Sequence, residues 1–369
     1  MILDYHIQVS EATTDMYIPT NNPDEKVYCY DVNSLYPYIM ASITMPVGHP
    51  TYFEGNIRKF DPEAYGFFYC KVTTPKYLEH PLLQIHCKTK SGYRTVSPLG
   101  QFEAMIHSSE MDKYIKHGYH FDIIWGYRFE QDYVFKDFIR DLYMYRLKYS
   151  KTDPLNYINK IIMNSLYGRF GMDDNFTNSI IVDKDSYLKY ENESFDNIID
   201  ITPLKHKYLL EVKSDNTSTM LDNGRETHKV NVAIASTITA NARIYMSQFK
   251  NHPDLKLFYS DTDSIYTNLN PEQMNELFQG IVSSTRLGKL KLESVCDKAI
   301  FLGPKLYYLH TVVGNSIFKV KGLDKNVPLT EQDFQDLLTK GHIIQEYQEK
   351  WFRSIENSKI SIKSQIYTI

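Results

Sequence analysis

Only four cysteines and two tryptophans occur among the 369 residues. Cys29, Cys70, Cys87 and Cys296 have no metal-clip spacing and are too scattered for a disulfide framework, which excludes a zinc module and a stapled secreted domain. No apolar run approaches the ~18 residues of a membrane span, so no membrane partner is expected. Residues 1–15 carry neither a basic-then-apolar signal nor an Arg-rich transit peptide. No single sign of charge dominates either. The 41 basic and 45 acidic side chains leave a net −4, so any polyanion site must be a local patch. No internal repeat and no Pro- or Gly-rich linker divides the chain. Against these absences, 42% hydrophobic and 23% charged residues fit a globular chain of two or three domains with a sizeable core. The 30 tyrosines stand out. Their rings serve either as base-stacking platforms or as core packing, and composition leaves both readings open.

The β-prone run Val27–Val32 predicts a strand, with Asn33 and Ser34 as capping residues before a helix that has Pro37 in its first turn. GFFYCKVTT and HFDIIWGYRF read as strands within a loop-rich stretch from about 60 to 130. Phe135, Phe138, Ile139, Leu142 and Tyr145 recur at helical spacing, and Asp153-Pro154 opens a second helix ending near Gly168. Residues 172–229 are polar and weakly periodic, like a surface insertion. A helix over 231–250 and a β-hairpin over 255–267 follow. The C-terminal part offers a capped helix over 330–340 and an amphipathic stretch around Trp351.

Four groups of residues carry candidate chemistry. Asp261 and Asp263 lie at the predicted hairpin tip, where i, i+2 carboxylates share a face; they read as hard ligands for Mg²⁺ or as an ordinary acidic turn. Asp31 ends a strand before a helix, so its carboxylate and the Val32 carbonyl can point outward together; a plain strand-end acid is the alternative. Lys160, Asn164 and Tyr167 form one polar stripe at i, i+4 and i+7, followed by Gly168, which permits close backbone approach. That stripe suits a nucleoside triphosphate or a solvated face capped by glycine. Residues 136–160, including Lys148, carry six basic and three acidic side chains. Lys305 and Tyr307 lie in a second basic stretch, 286–325, with eight basic and three acidic side chains, which suits a nucleic-acid backbone or a solvated face.

The order Asp31-Val-Asn-Ser34-Leu35-Tyr36-Pro37, then Lys160-x₃-Asn164-Ser165-x-Tyr167-Gly168, then Tyr259-Ser-Asp261-Thr-Asp263-Ser264, then Lys305-x-Tyr307 resembles the family B DNA polymerases. The lengths between motifs resemble the protein-primed branch of bacteriophages, adenoviruses and linear mitochondrial plasmids, and residues 231–243 look most like the plasmid enzymes. The resemblance implies an α+β palm-fingers-thumb fold with an antiparallel palm sheet and two insertions. Its expected boundaries are palm 1–60 and 230–325, insertions 61–135 and 172–229, fingers 136–171 and thumb 326–369.

In that family pattern Asp31 and Asp263 would be catalytic ligands of two Mg²⁺ ions (Mn²⁺ able to substitute), with the Val32 carbonyl completing a site and Asp261 in support. Ser34, Leu35 and Tyr36 would line the nucleotide site, with Tyr36 under the deoxyribose excluding a 2′-hydroxyl. Lys148 and Lys160 would hold the triphosphate, and Asn164, Tyr167 and Gly168 would form the nucleotide pocket. Lys305 and Tyr307 would grip the primer strand. The implied partners are primer-template DNA, dNTPs and a terminal priming protein, with the chain acting as a monomer. The insertions would serve priming-protein contact and strand displacement.

Two departures accompany the resemblance. Only 30 residues precede Asp31, too few for the family's 3′–5′ exonuclease domain, and they hold no Gly-Gly loop. Proofreading is therefore expected to be absent, and the chain reads as a fragment, a split subunit or a relic of an integrated element. A mitochondrial, organelle-encoded setting is expected, with a phage-infected bacterial cytoplasm as the alternative. A catalytically inactive DNA-binding remnant is the rival function. A reverse transcriptase or RNA polymerase is disfavoured by Asp-Thr-Asp-Ser in place of adjacent aspartates and by the Ser-Leu-Tyr-Pro turn.

Overall fold

Six residues, Val27–Val32, form the strand around which the largest sheet is assembled. The computed structural model describes residues 14–89, 92–172, 177–213, 230–354 and 359–369. Along the chain the elements begin with β1 (Thr14–Met16), β2 (Val27–Val32), α1 (Leu35–Ser42), β3 (Met45–Glu54), β4 (Tyr65–Thr73), β5 (Ile85–Thr89) and β6 (Gly92–Val96). They continue with β7 (Gln101–His107), α2 (Ser108–Ile115), β8 (His120–Asp132), α3 (Lys136–Leu147), α4 (Pro154–Phe170), β9 (Thr177–Val182) and α5 (Lys184–Ser194). Next come β10 (Ile198–Pro203), β11 (Tyr208–Lys213), α6 (Val232–Ser247), β12 (Leu257–Asp261), β13 (Ser264–Thr267) and α7 (Pro271–Leu277). The remainder holds β14 (Leu290–Gly303), β15 (Leu306–Thr311), β16 (Ser316–Val320), α8 (Glu331–Leu337), β17 (Gln345–Ser354) and β18 (Lys359–Thr368). None of the described helices is long and apolar enough to cross a membrane.

Two compact units result, Met1–Gly171 with Asn231–Val320, and Met172–Val230 with Lys321–Ile369. The first unit contains a seven-stranded antiparallel sheet, β1-β12-β13-β2-β14-β15-β16, as the α+β expectation requires. Strand alternation sends Tyr30 and Val32 into a core shared with α1, α3, α4 and α6, and Val27 and Cys29 into a second core on the other face. Asp31 belongs to the face of Val27 and Cys29, away from the helices. That placement leaves its carboxylate at the open end of the sheet.

The first unit also holds a four-stranded sheet, β3-β8-β4-β7. It begins at Met45, ahead of the expected insertion boundary at 61, because β3 pairs with β8 across a register shift between Val47 and Thr51. Helix α6 is buried on most of its circumference and packs on α1, α2, α4, β3 and β7. Two polar links fix it there. Arg243 on α6 donates to both oxygens of Glu110 on α2, at 2.8 and 3.0 Å, with both side chains nearly buried. His107 Nδ1 accepts from the Ser109 amide, so Nε2 carries the proton and donates to Thr237 Oγ1 at 3.2 Å.

The second unit pairs β9, β11 and β10 into a three-stranded sheet beside α5, so the polar stretch 172–229 is structured over its described part. The predicted helix over 330–340 is α8, opened by a capping box between Thr330 and Asp333 and ending at Leu337. The amphipathic stretch around Trp351 is a strand, β17, paired with β18 over ten residues.

Candidate active site

Asp31 and Asp263 lie 232 residues apart in sequence yet meet at neighbouring strand ends. Asp31 is paired with Ser264 on β13 and with Lys291 on β14. The Val32 amide donates to the Asp263 carbonyl at 2.8 Å, which locks the β12–β13 turn onto the end of β2. Within that turn Thr262 has φ 54°, a left-handed conformation that strains a β-branched residue by roughly 1–3 kcal/mol. The Asp263 amide bonds the Asp261 carbonyl at 2.6 Å and Ser264 Oγ does so at 3.1 Å, holding the strained turn closed.

Burial, followed by the Asp263 and Glu293 charges, pushes the Asp31 carboxyl up to about 7; Lys291 and Lys160 oppose the rise. Burial also raises Asp263, with the Asp261 charge adding to it. Such a pair is costly to ionise without a cation, and its hard oxygen donors suit Mg²⁺. Among the described residues no group of three or more His, Cys, Asp or Glu side chains converges as a metal cluster. The donor set here is a carboxylate pair with the Val32 backbone beside it.

Asp261 differs from its neighbours. Burial alone would raise it, but Lys305 Nζ bonds both its oxygens at 2.9 and 2.8 Å, and Thr14 Oγ1 donates at 2.7 Å. The carboxyl is held below its ordinary range. Lys305 adopts φ 57° and its amide donates to the Tyr259 hydroxyl at 2.8 Å, so its backbone is aimed by β12. Tyr307, expected on the primer strand, is buried against Tyr259, Tyr266 and Phe301.

Around the turn from β2 to α1, Ser34 sits in a left-handed conformation and makes no side-chain cap; instead its Oγ accepts from Arg146 on α3 at 3.3 Å. Asn33 donates to the carbonyls of Ser283 and Arg286, at 2.8 and 3.1 Å, tying down the loop that precedes β14. Gly288 closes that loop with φ 74°, and any Cβ there would collide with the Tyr38 ring. Leu35, expected to line the nucleotide site, is buried in the core. Tyr36 stacks on Tyr167 of α4.

Helix α4 starts as predicted, with Asp153 accepting from the Leu155 amide. It runs on past Gly168 to Phe170, with Gly171 as its cap. Gly168 therefore lies within the helix, and no neighbouring backbone approaches it: a Cβ there would meet nothing within 4 Å. Lys160 and Asn164 are exposed on the same helix, and the Lys160 charge acts on both Asp31 and Asp263. Lys148, the cap of α3, is exposed with its ammonium 4.5 Å from the Tyr145 ring centroid. Sequence reasoning reached Arg146 only as one of the basic residues of the 136–160 stretch, and did not single out Lys291, Glu293 or Thr14. The only trace of Lys291 and Glu293 was the +5 stretch, which carries no register.

A family profile described as DNA polymerase type B, organellar and viral, matches residues 12–254. A probable DNA polymerase of Neurospora intermedia is 34% identical, covering 91% of this chain and 34% of its own length. One of Ascobolus immersus is 33% identical, covering 99% of this chain and 29% of its own length. The chain thus spans about a third of the length of these relatives. The DNA polymerase of Streptococcus phage Cp-1 is 24% identical over 82% of this chain. Phi29 DNA polymerase, solved with primer-template DNA and incoming nucleotide, shares the fold: the TM-score is 0.69 at 18% identity, over 98% of this chain and 61% of that one.

Proposed function

Because this chain belongs to the organellar and viral type B DNA polymerases, we propose that it carries out template-directed DNA synthesis, joining dNTPs to a primer 3′-hydroxyl or to a priming protein. One observation carries the proposal. Asp31 and Asp263, brought together by β2 and the β12–β13 turn, have no lysine bonded to them among the described residues, while the Lys160 charge acts on both.

Asp31, Asp263 and the Val32 carbonyl would hold divalent cations, two Mg²⁺ on this reading. Such cations, when bound, lower the pKa of the attacking hydroxyl and offset charge on the departing pyrophosphate. Lys160 and Lys148 would hold the triphosphate, and Asn164 with the open side of α4 at Gly168 would border the base. Tyr36, backed by Tyr167, would pack under the sugar. Asp261 would keep Lys305 in place beside the primer strand, and buried Tyr307 would support that strand through the aromatic cluster beneath it. The sheet β3-β8-β4-β7 would face a priming protein and the stretch 172–229 would help open the duplex, with the chain acting as a monomer in a mitochondrial plasmid-like or phage setting.

Primer extension by the purified chain with Mg²⁺, primer-template and dNTPs tests the proposal. Extension that vanishes in Asp263→Asn is the expected result. DNA binding without extension would instead make the chain a catalytically inactive remnant.

A further inference from the structure

Four carboxylates stand at the open ends of β12, β2 and β14: Asp261, Asp263, Asp31 and Glu293. Their neighbours divide them into two classes. Lys305 takes both oxygens of Asp261, and Lys291 forms an ion pair with Glu293. Asp31 and Asp263 have no such partner among the described residues. Each lysine therefore neutralises one acid, and two acids are left over.

Lys291 holds a special position in this division. It is the residue directly opposite Asp31 in the β2–β14 ladder, so the two side chains share a face at the ~4.5–5.5 Å Cβ spacing of a cross-strand pair. The register then slips between Leu292 and Ser294, which leaves Glu293 without a partner on β2. Its carboxylate engages the Lys291 ammonium instead, and its charge is felt at Asp31. The Lys291 side chain is about three-quarters covered, so solvent screens its ammonium only in part.

We infer that Lys291 sets how tightly the Asp31–Asp263 site holds divalent cations, by engaging Glu293 and keeping that carboxylate out of the ligand set. Lys291 is a positioning residue: it acts through Glu293 and through its own charge. The inference rests on the reading of Asp31 and Asp263 as cation ligands. With Lys291 in place, an entering cation meets two carboxylates that have no ion-pair partner among the described residues. Without it, a third hard oxygen donor becomes available and a nearby repelling charge disappears. Both changes tighten binding of a hard divalent ion.

The test is a Mn²⁺ titration of the whole chain without DNA, with free Mn²⁺ followed by electron paramagnetic resonance. Lys291→Met is expected to bind Mn²⁺ about tenfold more tightly than the parent, and Lys291→Arg to stay within about twofold of it. The double variant Lys291→Met with Glu293→Gln should return to the parent's affinity. In primer extension, the Mg²⁺ concentration for half-maximal rate should fall in Lys291→Met by about the same factor. Unchanged or weaker Mn²⁺ binding by folded Lys291→Met overturns the inference, as does a double variant that binds well below the parent, since Glu293 would then already be a ligand. Lys291→Gln, with the same expectation, replaces the Met variant if that one does not fold. Asp31→Asn separates the two levels of reading. If it leaves Mn²⁺ affinity unchanged, the cation site itself is wrong; if it weakens binding while Lys291→Met fails to tighten it, only the role of Lys291 is wrong.

Discussion

The ring of Tyr36 lies against the ring of Tyr167, with centroids 4.5 Å apart and planes 23° from parallel. This contact joins α1, which leaves the Asp31 strand, to α4, which carries Lys160. A ring clamped in this way resists displacement, so an extra sugar oxygen pressed against it meets a packed contact costing about 1–3 kcal/mol. Tyr36→Val is therefore expected to raise the ATP:dATP ratio of kcat/KM by roughly ten- to hundredfold. Tyr167→Ala should relax the same ratio by freeing the Tyr36 ring, while Tyr167→Phe, which keeps the stack, should not. Single-nucleotide incorporation measures all three, and an unchanged ratio in a folded, active Tyr36→Val rules out the gate.

Asp263→Asn keeps the shape of the turn and removes one charge of the carboxylate pair. Primer extension should slow by ~10³-fold or more, about 4 kcal/mol in the barrier. Primer-template affinity, measured by fluorescence anisotropy, should stay near that of the parent. Extension at the parent rate would falsify the ligand assignment.

Lys160→Ala should raise the KM for dNTPs and lower kcat, since its exposed ammonium on α4 acts on the carboxylate pair. A variant that loses DNA affinity instead, with dNTP kinetics intact, would place Lys160 on the nucleic acid.

His107 gives the fold a dependence on pH. Burial, with the Arg243 charge adding to it, pushes its imidazole down to about 3. A histidine depressed in the folded state takes up its proton more readily when unfolded, so stability is full above about 6.5 and falls as the pH drops toward 3. Between pH 7.5 and pH 5 the loss from this residue is about 2 kcal/mol. Urea unfolding at both pH values should show a smaller loss for His107→Gln than for the parent. Equal losses would assign the acid sensitivity elsewhere.

Local signals in the chain proved sufficient for elements whose residues agree with one another. Val27–Val32 is a strand to the residue, Asp153-Pro154 opens α4, and the acids at 261 and 263 do cap a hairpin. Strand β3 was hidden by Pro46, Gly48 and Pro50. Those residues read as turn formers, and β3 accommodates them as an edge strand with a register shift. Tyr307 was hard to place for a different reason. A tyrosine beside a lysine looks like a nucleic-acid contact, and only the pairing of β14 with β15 reveals that its ring packs under Tyr259. Lys291 and Glu293 escaped notice because their importance comes from register with Asp31, and no spacing within β14 announces it.

The place of β2 in its sheet has a consequence for how this chain is made on the ribosome. β2 lies between β13 and β14, and both partners follow it by more than 220 residues. A nascent chain therefore carries an unmated apolar strand for as long as that stretch takes to translate, roughly 10–45 s at 5–20 residues per second. Through that interval the two edges of β2 are open to any other extended chain, and Asp31 has no Asp263 beside it. Synthesis of β12 to β14 would complete the sheet and create the site in one event. The Asp31–Asp263 pair is thus absent while the chain is being made, and the yield in a foreign host should depend on what shields Val27–Val32 in the meantime.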